Sequence, residues 1–385
     1  MCSKKNEASP GEPDWHLQRK RTVRSPGDLP ESFTLRPEEK QFFDHSSSLK
    51  NERALDFAVT PYYMSLAGDA AGSGDHAAAG GASVDPVRLQ CIPTIQEYNT
   101  LPYESRDPIS DLKFSPVERL VHRYRDRALI LVTDECAVYC RHCFRRHFAS
   151  SRQGVLTPDQ LRSCIAYLNS RPEIHEVILS GGDPLTLEDE KILRIVGEIR
   201  RGVDRLLVLR LATRTPVVLP QRITPGLAEA LAEEGALYVI TQFNHLKEIT
   251  PTSAKAVATL NRAGIPVLNQ AVLLRGVNDS VHSLAALFQA LLEIRVKPYY
   301  LFQGDLAEGT SHFRVPLERG IELVRRLRRH ISGLAMPVYA VDLPEGGGKI
   351  PITENYLDGL IDDGEGKKYR FTGPDGQPYY YPMEQ

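Results

Sequence analysis

Between residues 128 and 303, short apolar runs rich in β-branched residues alternate with longer stretches of helical periodicity. The short runs are ALILVTD (128–134), HEVILSG (175–181), RLLVLRLAT (205–213), ALYVITQF (236–243), IPVLNQAVLL (265–274) and VKPYYLFQ (296–303). Helix-like stretches fall between them at 158–170, 188–201, 225–234, 252–263 and 281–293, and another, 317–331, follows the last run. Near-continuous apolar strands alternating with helices predict a parallel sheet covered by helices, an α/β fold. Six strand–helix units in a row suit a partial (β/α)6 barrel, with a doubly wound sheet as the competing arrangement. In a barrel, the chemistry belongs at the C-terminal ends of the strands.

The flanks differ in texture. Residues 1–115 are polar, proline-rich and weakly periodic, which predicts a helical and extended N-terminal region. Within it, residues 68–84 (GDAAGSGDHAAAGGASV) are low in complexity and read as a flexible linker or loop. The barrel is expected over 116–343, and 344–385, rich in Gly, Pro and Tyr, reads as a short C-terminal lobe.

Bulk composition mostly excludes. With 47 Lys+Arg against 49 Asp+Glu in 385 residues, there is no global charge argument for nucleic acid or an anionic membrane. No apolar run approaches the roughly 18 residues of a membrane helix. The start, MCSKKNEASPGEPDWHLQRKR, has no apolar stretch of the kind a secretory signal carries. A cytoplasmic location is expected.

Three of the six cysteines crowd together as Cys136-x3-Cys140-x2-Cys143, just after the first predicted barrel strand. Clustered cysteines in a large chain point to metal ligation rather than to a disulfide framework. Three thiolates on one loop can hold three irons of a [4Fe-4S] cluster and leave the fourth iron open to a small molecule. The competing reading is zinc, with His142 or His147 as a further ligand, but no second cysteine pair exists to complete such a site.

Two glycine motifs follow. Ser180-Gly181-Gly182-Asp183 ends the second predicted strand, where glycines let backbone approach a ligand and the hydroxyl and carboxylate can accept an ammonium group. Taken alone, it is also a tight turn with a helix cap. Asp342-Leu-Pro-Glu-Gly-Gly-Gly-Lys349 has neither the spacing nor the Ser/Thr of a phosphate-binding loop. An amine on such a loop can form a Schiff base with pyridoxal phosphate, or the stretch can be a plain loop.

The cysteine spacing resembles that of the radical S-adenosylmethionine superfamily. The strings CAVYCRHCFRRHF, SGGDPL, LNQAVLLRGVND, KPYYLFQGDLAEGTSHFR and VDLPEGGGK, over about residues 90–360, resemble the lysine 2,3-aminomutase family within it. The resemblance implies a radical SAM partial barrel. It also implies S-adenosylmethionine on the open iron, cleaved to a 5′-deoxyadenosyl radical, with Ser180, Gly181, Gly182 and Asp183 around its methionine part. It implies pyridoxal phosphate on Lys349, held by Arg123, Tyr124, Arg127 and Gln270. For the substrate it implies Arg145 on the α-carboxylate of L-lysine, with Asp305 and Asp342 on the ε-ammonium. The reaction implied is a shift of the amino group from Cα to Cβ. An electron donor such as flavodoxin or ferredoxin and a homo-oligomeric assembly are implied too.

The match departs from the family at several positions. Gln242 stands where the family's THFNH string has its first histidine, and Glu345 replaces a glycine of the lysine loop. Ser280 replaces one ligand of a zinc site found in some members, and no cysteine follows Cys164, so no structural zinc is expected. Two neighbouring activities compete. One is a branch making (R)-β-lysine for elongation factor P, suggested by CAVYC with CFRRHF. The other is glutamate 2,3-aminomutase, which two carboxylates in the substrate site disfavour by like-charge repulsion. Anaerobic reconstitution is expected to load iron and sulfide; zinc without either would overturn the cluster reading.

Overall fold

The computed structural model describes residues 14–48, 55–68, 84–149, 151–353, 356–362, 367–373 and 376–383. Most of the low-complexity stretch at 68–84 lies outside the described residues.

One nine-stranded sheet forms the body, and its strands neighbour one another in chain order. They are β1 (Leu120–Tyr124), β2 (Arg127–Thr133), β3 (Glu176–Gly181), β4 (Val208–Ala212), β5 (Leu237–Thr241), β6 (Val267–Val272), β7 (Lys297–Phe302), β8 (Val338–Leu343) and β9 (Gly348–Pro351). Neighbours from β2 to β8 run parallel, while β1 on β2 and β9 on β8 are antiparallel. The six expected strand–helix units are all present, and in-order parallel pairing is the barrel arrangement rather than the doubly wound one. Periodicity did not reveal β1, β8 or β9. The two edge strands, β1 and β9, are short and carry charged residues among the apolar ones.

Alternation along the strands sorts the two faces. Val177, Leu179, Leu209 and Leu211 are fully buried under the helices, while Ile178, Arg210 and Ala212 face the lumen and line its cavity. The helix Thr157 caps, Pro158–Asn169, shows why the helices start where they do. Thr157 accepts from the Gln160 backbone, Gln160 returns the bond, and a proline sits at the first position. The helices at Pro225–Glu233 and Pro251–Arg262 begin with the same Thr-Pro pair.

The sheet does not close by a strand ladder. Its two edges meet instead where the Lys349 backbone N–H donates to the Tyr124 hydroxyl at 2.9 Å. Lys349 therefore belongs to β9 of the main sheet, not to a lobe that begins at residue 344. Beyond it, β10 (Leu357–Asp362), β11 (Lys367–Thr372) and β12 (Pro378–Pro382) form a separate antiparallel sheet.

The N-terminal region packs against the cysteine loop. Glu97 is buried there and accepts from Arg141 Nε at 2.8 Å and from Arg141 and Arg146 Nη2 at 2.7 and 2.6 Å. Burial alone would push its carboxyl up, but the two guanidiniums outweigh burial and hold it below the ordinary range. Arg141 also donates to the carbonyls of Asp56 and Leu55. Glu97→Gln would leave two buried guanidiniums without their counter-charge, at a cost of about 3–5 kcal/mol. Thermal unfolding of the apoprotein should show a correspondingly lower midpoint, and an unchanged midpoint would show the pair to be dispensable.

Candidate active site

At the C-terminal ends of the strands lies a cavity of about 440 Å³. Cys136, Cys140 and Cys143 all line it, and none is in a disulfide. They sit on an irregular loop between β2 and the short helix Arg146–Ala149, so the loop takes its shape from outside contacts. Tyr139 N donates to Ala58 O at 3.1 Å and Arg141 N to Gln90 O at 2.9 Å. Among the described residues no three His, Cys, Asp or Glu side chains converge on a single ion. A four-iron cluster offers each cysteine a separate iron and needs no such convergence. Burial pushes the Cys136 thiol well up and Cys143 to about 11, so loading a metal must displace their protons. Arg214 Nη1 donates to Cys140 Sγ at 2.8 Å.

The glycine turn after β3 lies flat against this loop. Gly182 N donates to Thr133 O at 2.6 Å and Asp183 N to Glu135 O at 2.8 Å. A Cβ on Gly181 would come within 2.4 Å of Thr133 O, and one on Gly182 within 2.3 Å of Glu135 O. Gly181 has φ 122°, which side chains disfavour. Ser180, Gly181, Gly182 and Asp183 all line the cavity. The Asp183 carboxylate also braces the fold. It accepts from Leu185 N at 3.0 Å, Thr213 Oγ1 at 2.6 Å and Arg214 N at 2.8 Å, and so braces the turn.

On the opposite edge, the β8–β9 hairpin sets Lys349 directly across from Asp342, with Nζ 4.0 Å from Oδ2. The amine lies over the rings of Phe302 and Tyr300, at 4.2 and 4.8 Å from their centroids. Burial lowers the Lys349 pKa against the pull of Asp342, which favours the free amine that attacks a carbonyl. The hairpin turn uses left-handed backbone at Gly346 and Gly348, and also at Glu345, where φ is 58°. The departure from glycine at Glu345 is thus a strained position.

Arg123, Tyr124, Arg127 and Gln270 line the same cavity. Arg127 stacks over Tyr124, 4.1 Å from the ring centroid, and pairs with Asp126 at 3.0 Å. Arg123 Nε is buried without a hydrogen-bond partner, as a donor awaiting an anion would be. Arg145 and Arg123 share one carboxylate, Asp111, each at 2.8 Å. Asp305 completes the wall. Enclosure by protein and the neighbouring Asp342 raise its pKa to about 7, against the pull of Lys349 and Arg145.

These residues assemble one cavity with a thiol corner, an amine and carboxylate corner, and five guanidiniums, those of Arg123, Arg127, Arg145, Arg210 and Arg214. The Radical SAM superfamily model matches residues 130–288, and the Lysine-2,3-aminomutase model matches 324–364. The L-lysine 2,3-aminomutase of Fusobacterium nucleatum subsp. nucleatum is 41% identical over 344 residues, covering 89% of this chain and 77% of that one. That of Clostridium subterminale is 40% identical, covering 89% and 79%. The chain belongs to the lysine 2,3-aminomutase family. A glutamate 2,3-aminomutase from Clostridioides difficile is 36% identical, covering 90% of this chain and 78% of that one. Membership in this radical SAM family makes the chain an isomerase whose cofactors are S-adenosylmethionine, a [4Fe-4S] cluster and pyridoxal phosphate.

Sequence reading missed several members of this aminomutase cavity. Tyr300 and Phe302 carried a signal, since alternation in KPYYLF places both on one face of β7. Asp111, Arg210 and Arg214 carried none. Gln242 lines the cavity, and its amide lies 3.2 Å from His142 Nε2. Burial holds that imidazole neutral, so its ring nitrogen can accept from the amide. Ser280 caps the helix Val281–Glu293 by accepting from Ser283 N. Among the described residues, no helix is long and apolar enough to cross a membrane.

An ammonium prefers the ionised form of Asp305. The kcat/KM for lysine should therefore fall as pH drops through about 7, the value for this carboxyl in the free protein. Asp305→Asn should remove that inflection from the pH profile. If the inflection persists in the variant, another group is responsible.

Proposed function

We propose that this chain interconverts L-lysine and β-lysine by a radical 2,3-amino shift. One observation carries the choice of substrate: two carboxylates, Asp305 and Asp342, stand beside Lys349 in a cavity that also holds Arg145. The pair attracts an ammonium and repels the side chain of glutamate. Arg145 holds the α-carboxylate, for which a planar guanidinium fork is suited.

The residues present fit the family's cofactors. Cys136, Cys140 and Cys143 would hold the cluster, and the close approach of Gly181 and Gly182 to the cysteine loop leaves Ser180 and the turn facing the ligand side. Lys349, with its depressed pKa, and Arg123, with its unpartnered Nε, fit pyridoxal phosphate, and Arg127, Tyr124 and Gln270 surround it. When bound, these groups supply a hydrogen-abstracting radical and a carrier for the migrating amine. The chain's own work is positional. Lys349 would hold pyridoxal phosphate at Nζ, the atom at which it gives and takes a proton. Arg145, Asp305 and Asp342 fix both ends of lysine, so that its Cβ meets the radical source in one orientation. The walls exclude water, which would otherwise compete for reactive intermediates.

A one-electron donor of the flavodoxin or ferredoxin kind, a homo-oligomeric assembly and a cytoplasmic location complete the proposal. A reducing compartment keeps the three thiols available to iron.

The test is an anaerobic assay of reconstituted protein with S-adenosylmethionine, pyridoxal phosphate and a reductant. L-Lysine should give β-lysine and glutamate should give no product. β-Glutamate as the product would sink the lysine reading, and chiral analysis separates L-β-lysine from the (R)-β-lysine of the elongation factor P branch. Neutralising both carboxylates, by Asp305→Asn with Asp342→Asn, should raise the KM for lysine by about tenfold or more.

A further inference from the structure

Asp111 lies outside every strand and helix that builds the barrel, yet it touches two elements assigned above to different ligands. Its Oδ2 accepts from Arg145 Nε at 2.8 Å and its Oδ1 from Arg123 Nη2 at 2.8 Å. All three side chains are at most 13% exposed. One carboxylate therefore spends one oxygen on each guanidinium. Arg145 keeps both terminal nitrogens for another partner, with Nη1 only at 3.5 Å from Ser180 Oγ. Arg123 keeps Nε, which is buried and unpartnered.

Asp111 is itself fixed. Its backbone N–H donates to Asp107 Oδ1 at 2.8 Å, and Leu112 N donates to Asp107 Oδ2 at 2.9 Å. Ser110, just before it, sits at φ 57°, a left-handed conformation that costs a serine energy and re-aims the chain. The strap that carries it is tied at both ends to the cavity wall. Ser105 N donates to Leu306 O at 2.8 Å, next to Asp305. Phe114 packs against Gly346 of the lysine hairpin so closely that a Cβ there would come within 2.2 Å of its ring.

We propose that Asp111 is a positioning residue that holds Arg123 and Arg145 at a fixed separation and aim, so that the cofactor's phosphate and the substrate's carboxylate are set relative to each other. The proposal rests on the reading of Arg123 and Arg145 given above. Two guanidiniums so close repel each other, and Asp111 both offsets that repulsion and fixes the direction of their free N–H groups. Without it the local charge becomes more positive, but the two forks lose their common anchor. Loss of aim then weakens both anion sites, whereas added charge alone would strengthen them. The sign of the effect therefore distinguishes positioning from bulk electrostatics.

The experiment compares the full-length wild-type protein with Asp111→Asn, which removes the charge at constant size, and Asp111→Glu, which keeps it. Pyridoxal phosphate affinity is measured by absorbance titration of the apoprotein, a readout independent of the cluster and of turnover. The KM for lysine is measured on the reconstituted enzyme. In Asp111→Asn both affinities should weaken, on the order of tenfold each, with kcat at saturation changed less. Asp111→Glu should recover most of both. Unchanged or tighter binding of pyridoxal phosphate and lysine by a folded Asp111→Asn protein would overturn the proposal. So would a loss shared equally by Asp111→Glu, which would mark Asp111 as a packing residue only. Wild-type protein that binds no pyridoxal phosphate would overturn the cofactor reading and this proposal with it, while wild-type binding matched by Asp111→Asn would overturn this proposal alone.

Discussion

A buried carboxylate from outside the barrel holds the most irregular part of the site in shape. The loop with Cys136, Cys140 and Cys143 has no strand or helix of its own to fix it. Glu97 accepts from Arg141 at both carboxylate oxygens and from Arg146 at Oε2, all within 2.6–2.8 Å. Arg141 lies between the second and third cysteines, and Arg146 begins the helix that follows. Clamping those two points limits where the three sulfurs can go. Such a network stabilises only when every partner is present, because each buried charge left alone is costly.

The same economy of anchoring recurs around the cavity. Asp183 spends its carboxylate on Leu185, Thr213 and Arg214, which ties the turn after β3 to the end of β4. Arg214 then reaches Cys140 as well as Glu248, linking β4, the cysteine loop and the segment after β5. Tyr124 closes the sheet at the Lys349 backbone, and Asp111 joins the two arginines. Each anchor joins elements that are distant in sequence, so ligand-facing groups sit on a frame that is already ordered. Pre-organisation of that kind is what positional catalysis by a radical enzyme requires.

Electrostatics divide the cavity. Asp305 and Asp342 give one wall a negative charge that burial makes costly, and Asp305 responds with a carboxyl raised to about 7. Arg123, Arg127 and Arg145 give other walls a positive charge. An amino acid with a cationic side chain and an anionic α-carboxylate satisfies both. Lys349 lies between these influences, and its amine is pushed toward the neutral form by burial and by Arg127, against the pull of Asp342 and Asp305.

By itself the sequence determined the repeating part of the fold and the chemically rare residues. Six apolar runs with helices between them specify parallel strands because a strand buried on both faces must be apolar on both. Cys136-x3-Cys140-x2-Cys143 and the Gly-rich run before Lys349 are local patterns, legible without knowing what they touch. Edge strands β1 and β9 left weaker traces, because they are short and mix charged residues with apolar ones, and periodicity did not reveal β8, next to the edge, either. That is why residues around Lys349 read as a terminal lobe, although they pair with β8 in the main sheet. Tertiary structure alone decided which polar groups line the cavity and which tie the frame together. Asp183 lines the cavity and also braces the turn after β3, while Glu97 and Asp111, which no motif marked, are buried between arginines. A buried ion pair depends on the distance between side chains that the fold brings together from far apart, and no local spacing in the chain encodes that distance.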